Sequence, residues 1–120
     1  MRLSESALLR RVLIKLSDLG CRLFRNNCGM LRDARGSYVR YGVASPGGSD
    51  LVGWHSITIT PDFVGRRVAI FTAIECKSQN GRLTKEQANF LAQVEHAGGI
   101  AIECRDVDES VGAINQWRGK

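Results

Sequence analysis

The sequence predicts an α/β fold, an α/β sandwich around a mixed sheet with the element order α-β-β-β-α-β-α. Three observations predict it: a helical apolar period at the N-terminus, two β-rich runs divided by a turn, and a capping-box helix followed by a short apolar strand. The chain of 120 residues is read as one domain, 1–120, with room for a single core.

Taken in order, Ser4 suits an N-cap, and Leu8, Leu9, Val12, Leu13, Leu16 and Leu19 keep a 3.6-residue period. Gly20 stands where a helix-ending glycine belongs, so the first helix is placed over 4–19. Residues 21–26 read as a short strand. The stretch 29–48 holds five glycines, one proline and scattered arginines, and reads as loop with a strand at Tyr38–Tyr41. Residues 51–60 and 67–77 are dense in Ile, Val, Thr, Phe and Trp, and Pro61-Asp62-Phe63-Val64-Gly65 divides them. They read as one long β-hairpin. Thr84-Lys85-Glu86-Gln87 has the form of a capping box and opens a helix to about residue 97, stopped by Gly98-Gly99. Ile100–Cys104 is a strand, and Asp108 is read as the cap of a last helix over 108–117. No repeat or low-complexity tract is read.

Composition narrows the function classes. No apolar run approaches the roughly 20 residues of a membrane span. Met1 to Glu5 opens an amphipathic segment rather than the apolar core of a signal peptide, so a cytoplasmic protein is expected. Cys21, Cys28, Cys76 and Cys104 fit no zinc spacing and are expected as reduced thiols packed like small hydrophobes. Seventeen Lys and Arg against twelve Asp and Glu give a net charge of +5, which favours an anionic partner. Arg22, Arg25, Arg32, Arg35 and Arg40 crowd into nineteen residues that contain one acid, Asp33. Thirteen of the seventeen cations are Arg, whose fork grips phosphate oxygens in pairs. These five arginines are the candidate DNA-backbone contacts; a solvated basic face is the bland alternative.

The chemistry gathers around Glu75 and Lys77. Two residues apart on a strand, they share a face, while Cys76 is expected to point into the core. By itself this E-x-K is weak, and an ordinary surface ion pair accounts for it equally well. The expected hairpin supplies a second acid. With the turn centred between Asp62 and Phe63, Glu75 lies opposite Asp50, with Cβ atoms about 4.5–5.5 Å apart. Two carboxylates that close repel unless a cation lies between them. For phosphate chemistry a hard divalent ion, Mg²⁺ or Mn²⁺, answers this. Asp62 is the competing acid, but a turn residue lies ~40 Å from Glu75 along a straight strand.

Three ordered blocks carry a resemblance: Gly48-Ser49-Asp50-Leu51-Val52-Gly53, then Ile74-Glu75-Cys76-Lys77, then Thr84-Lys85-Glu86-Gln87-Ala88-Asn89-Phe90-Leu91. Together with Glu5 and Arg25-Asn26-Asn27, they resemble the VRR-NUC domain, the virus-type replication-repair nuclease branch of the PD-(D/E)XK superfamily, over roughly residues 4–105. The resemblance implies a restriction-endonuclease-like αβββαβ core, a mixed central sheet flanked by helices with the active site on the long hairpin. It implies a divalent-metal-dependent DNA endonuclease of replication or repair. Asp50, Glu75 and the Cys76 carbonyl would hold the metal, with Glu5 approaching through water. Lys77 would orient or deprotonate the attacking water, and Gln87 would position the site. For Gln87 the capping box is a sufficient explanation, and for Glu5 so is an acid in a first helical turn.

Stand-alone relatives resemble Holliday-junction resolvases, so a homodimer acting on branched or four-way DNA is expected, in a bacterial or phage-infected cell. Two other classes are weighed. A catalytically inactive nucleic-acid-binding module of the same fold would bind DNA without cutting it. An interaction subunit would carry its E-x-K as ordinary surface charge.

Overall fold

Ser4 opens the first helix because its hydroxyl accepts the Ala7 N–H at 3.2 Å, satisfying a donor the helix cannot. A computed structural model describes residues 3–117. It places helix α1 over Glu5–Asp18, and Gly20 ends it with φ +94°. The backbone groups into two units, Met1–Ile57 and Thr58–Lys120, each taken by itself.

In the first unit α1 packs on strand β1 (Arg22–Arg25). Strand β1 runs antiparallel to β4 (Leu51–Trp54), with Arg22 opposite Trp54 and Arg25 opposite Leu51. On this ladder the Phe24 and Trp54 rings are diagonal neighbours, centroids 5.7 Å apart and tilted by 56°. Between these strands lies a hairpin, β2 (Gly29–Arg32) against β3 (Tyr38–Tyr41). The sequence reading places β3 and misses β2, which begins on a glycine and shows no alternation of apolar and polar residues. The turn is nevertheless written in the sequence: the Asp33 carboxylate accepts the N–H groups of Arg35 and Ser37, each at 2.9 Å, and Gly36 takes φ +81°. Gly29 suits its place because the Tyr41 ring lies where its Cβ would be.

The second unit begins with a 3-10 turn, Pro61–Phe63, which contains Asp62. Strand β5 (Thr72–Cys76) and strand β6 (Ile100–Cys104) are parallel, and helix α2 (Lys85–His96) is the crossover that parallel neighbours need. Helix α2 packs on both strands, and α3 (Val107–Gln116) packs on β6. The buried apolar side chains among the described residues, Val94, Ile102 and Cys104, lie here.

Several expectations need correction. The two β-rich runs do not make one long hairpin: regular strand is confined to Leu51–Trp54 and Thr72–Cys76. The described ladders join β4 to β1 and β5 to β6, so the register setting Asp50 opposite Glu75 has no ladder behind it. Strand propensity needs a covered face to become a ladder, and Ile57, Ile59 and Val68 are all more than half exposed. The last helix is capped by Asp106, whose carboxylate accepts the Glu109 N–H at 2.8 Å, and not by Asp108. Cys76 is exposed rather than in the core, while its neighbour Cys104 is buried. A repeat is also present. Ala73-Ile74-Glu75-Cys76-Lys77 and Ala101-Ile102-Glu103-Cys104-Arg105 lie side by side, Glu75 in register with Glu103 and Cys76 with Cys104. Among the described residues, no helix is long and apolar enough to cross a membrane.

Candidate active site

Strand β5 ends on the groups that matter. The Lys77 N–H donates to the Cys104 carbonyl at 2.9 Å, so the ladder continues one residue beyond β5 and seats Lys77 on the face of Glu75. Lys77 Nζ lies 3.7 Å from Glu75 Oε1. Their side chains keep 18% and 33% of their surface. A fully solvated ion pair would show more of both, and a pair this long contributes little to stability. The arrangement holds a cation beside a partly exposed carboxylate.

Gln87 completes the cluster. Its Oε1 accepts the Thr84 backbone N–H at 3.0 Å, and its own N–H donates to Thr84 Oγ1 at 3.1 Å, closing the capping box. The other end of the same carboxamide, Nε2, donates to Glu75 Oε1 at 3.0 Å. The cap and the contact with Glu75 are therefore not alternatives. The cap fixes which end of the amide faces Glu75, because only the nitrogen remains to donate. Lys77 and Gln87 converge on Oε1, which leaves Oε2 to other partners.

A carboxylate across the ladder was missed by sequence reasoning. Glu103 is in register with Glu75, and its Oε2 takes a 2.8 Å ion pair from Arg105 Nη1. Arg105 Nη2 also donates to the Gly81 carbonyl at 2.6 Å, in the segment joining Lys77 to Thr84. Neighbouring glutamates on one face would repel, and each here carries its own cation. The repeated Ala-Ile-Glu-Cys followed by a cation was the signal for the pair. On the opposite face the thiols of Cys76 and Cys104 lie 3.9 Å apart. Burial pushes the Cys104 thiol above its ordinary value, and the Cys76 thiol adds to the rise, so Cys104 stays a neutral filler.

The remaining predicted residues lie in the first unit. Asp50 is exposed at the entry to β4, and Glu5 is exposed in the first turn of α1. Arg22, Arg25, Arg32, Arg35 and Arg40 are all exposed. Arg22 stands over the Phe24 ring at 5.0 Å and Arg32 over the Tyr38 ring at 5.3 Å. The β2–β3 register puts Met30, Arg32, Tyr38 and Arg40 on one face of the ribbon. What the structure brings together is Glu75, Lys77 and Gln87, a donor-flanked carboxylate on one strand and one helix start.

Among the described residues no three His, Cys, Asp or Glu side chains form a metal cage. The donor chemistry fits a hard, partly hydrated cation all the same. Such an ion needs only one or two carboxylates and keeps several waters, and Glu75 presents an oxygen that neither Lys77 nor Gln87 occupies.

Gln87→Glu separates the two jobs of the carboxamide. A glutamate keeps the capping box but cannot donate to Glu75. Unchanged helicity by circular dichroism is expected, with the DNA cleavage expected from the sequence slowed about tenfold or more, as when a supporting hydrogen bond is lost. Wild-type cleavage by this variant would leave Gln87 as a cap alone.

Residues 10–108 match the family model described as the VRR-NUC domain. No curated protein and no solved structure matches the chain.

Proposed function

Because this chain belongs to the VRR-NUC family, whose members are nucleases of the PD-(D/E)XK superfamily, we propose that it is a divalent-metal-dependent DNA endonuclease centred on Glu75 and Lys77. The observation that carries the reading is the convergence of Lys77 and Gln87 on one oxygen of Glu75. PD-(D/E)XK nucleases normally use divalent metals. In this reading Glu75, Asp50 and the Cys76 carbonyl hold Mg²⁺ or Mn²⁺, with Glu5 reaching it through water. When bound, the ion polarises the scissile phosphate and lowers the pKa of its water.

The chain's own groups do the rest. Lys77 orients the attacking water or takes its proton, and the Gln87 amide keeps the Glu75 carboxylate from turning away. Arg22, Arg25, Arg32, Arg35 and Arg40 grip the phosphate backbone without reading sequence. The exposed ribbon face of Arg32, Tyr38 and Arg40 supports this, since it sets two guanidinium groups on one open face, where they can meet phosphate oxygens. The proposal extends to branched or four-way DNA cut by a homodimer, whose two-fold axis would match a junction of like symmetry. It places the enzyme in replication or repair, in the cytoplasm of a bacterial or phage-infected cell, with residues 1–120 acting as one nuclease domain.

The test is cleavage of duplex, nicked, flapped and four-way DNA with Mg²⁺ or Mn²⁺. Metal-dependent cutting, strongest on the branched substrates and abolished by EDTA, is expected. Salt-sensitive binding with no cutting under any metal would replace this reading with that of an inactive binding module.

A further inference from the structure

Asn26 makes more side-chain hydrogen bonds than its position at a strand end requires. Its Oδ1 accepts the Val43 N–H at 2.8 Å, and its Nδ2 lies 3.0 Å from the Val43 carbonyl. The same Nδ2 lies 3.0 Å from the Ser49 carbonyl and 3.2 Å from Cys28 Sγ. Val43 both donates and accepts, so the orientation of the amide is fixed. The two Nδ2 protons serve the two carbonyls, and the Cys28 sulfur is a weaker third acceptor.

These bonds bear on Asp50, the residue next to Ser49. The Ser49 carbonyl belongs to the peptide group that precedes the Asp50 Cα. The Asp50 carbonyl, in the peptide group on the other side, accepts the Asn26 backbone N–H at 2.9 Å. One residue therefore holds the peptide planes on both sides of Asp50. Fixing both planes fixes the φ and ψ from which the Asp50 side chain departs. Gly48 belongs to the same packing, because a Cβ there would meet the Val43 carbonyl and come within 3.0 Å of Asn26 Nδ2.

We infer that Asn26 is a positioning residue for Asp50: its carboxamide ties the 43–49 loop so that the Asp50 carboxylate is aimed before a metal arrives. The inference rests on the proposed role of Asp50 as a ligand, and it goes beyond that role by naming what aims it. Supporting hydrogen bonds around metal ligands typically matter by 10–100-fold in affinity.

The experiment measures Mn²⁺ affinity without DNA, from free Mn²⁺ by electron paramagnetic resonance, alongside thermal midpoints. The variants are Asn26→Asp, Asn26→Ala and Asp50→Asn. Asn26→Asp is the sharper one, since it keeps an acceptor for the Val43 N–H and loses the donors to Ser49 and Val43. A folded Asn26→Asp with Mn²⁺ affinity weakened about tenfold or more is expected, with Asn26→Ala as weak or weaker. A purely structural Asn26 would lower the midpoint and leave the affinity of the folded protein alone. Wild-type affinity in Asn26→Asp, with Asp50→Asn unable to bind, overturns the inference and leaves the metal site standing. Wild-type affinity in Asp50→Asn overturns the metal site, and the role of Asn26 falls with it. An Asn26→Asp chain that does not fold also overturns the inference, because it assigns Asn26 to global stability.

Discussion

Glu75→Ala is expected to abolish cleavage while DNA binding stays intact or tightens slightly. The carboxylate is the group on which Lys77 and Gln87 converge, at 3.7 and 3.0 Å. In the proposed reading, removing it takes away a metal ligand, and with it several kcal/mol of charge stabilisation. The single-turnover rate should fall by a factor on the order of 10³ or more. Binding is expected to move the other way because one negative charge is gone, and the arginines proposed to hold the backbone are untouched. Asp50→Ala is expected to behave alike. Cleavage assays and binding isotherms on the same substrate check both statements. Near wild-type cutting by either variant with metal present would show that the metal site has been misplaced. Asp62, in its 3-10 turn, provides the contrast, and Asp62→Ala is expected to cut as the wild type does.

Lys77→Met tests the second large effect. Methionine keeps most of the length and apolar contact of the stem and removes the charge. If Lys77 acts on the nucleophile, the chemical step slows by about 10²–10⁴, the range for a positioned proton-transfer or charge-stabilising group. Metal and DNA affinity change little. If Lys77 only balances Glu75, the variant instead shows altered metal affinity, and its turnover recovers at saturating metal. Single-turnover rates across a metal titration separate the outcomes, and full rescue by Mg²⁺ or Mn²⁺ would remove Lys77 from the chemistry.

Local signals in the sequence were strong where the structure is local. Ser4 and Thr84 cap helices that begin one residue later, and Ile100–Cys104 is the strand its apolar run suggests. Each depends on a period or a cap within a few residues. Glu75 and Lys77 sharing a face was likewise legible from strand alternation alone. What failed depended on pairing partners. The hairpin reading took two β-rich runs to be each other's partners because they were neighbours in sequence. Instead β4 pairs with β1 and β5 with β6, partners about thirty residues away in the chain. Cys76 was assigned to the core by alternation, which fixes which face a residue takes but not which face is covered. Gln87 carried two explanations in the sequence, and only the fold shows one amide making both the cap and the contact with Glu75. The partners of Asn26 lie 17 and 23 residues away, beyond the reach of any period or cap.

The dependence of Glu75 on Gln87 has a consequence for motion. The first turn of a helix is among the earliest parts of a fold to open, at free energies well below that of global unfolding. Gln87 reaches Glu75 only while the first turn of α2 is wound around its Thr84 cap. Each fraying of that turn breaks the Gln87–Glu75 hydrogen bond and leaves Lys77 alone on the carboxylate, although the rest of the chain stays folded. The fraction of time the cluster is assembled is therefore set by a local opening equilibrium at one helix end. Heating erodes that fraction gradually, so the cluster comes apart before the fold itself is lost.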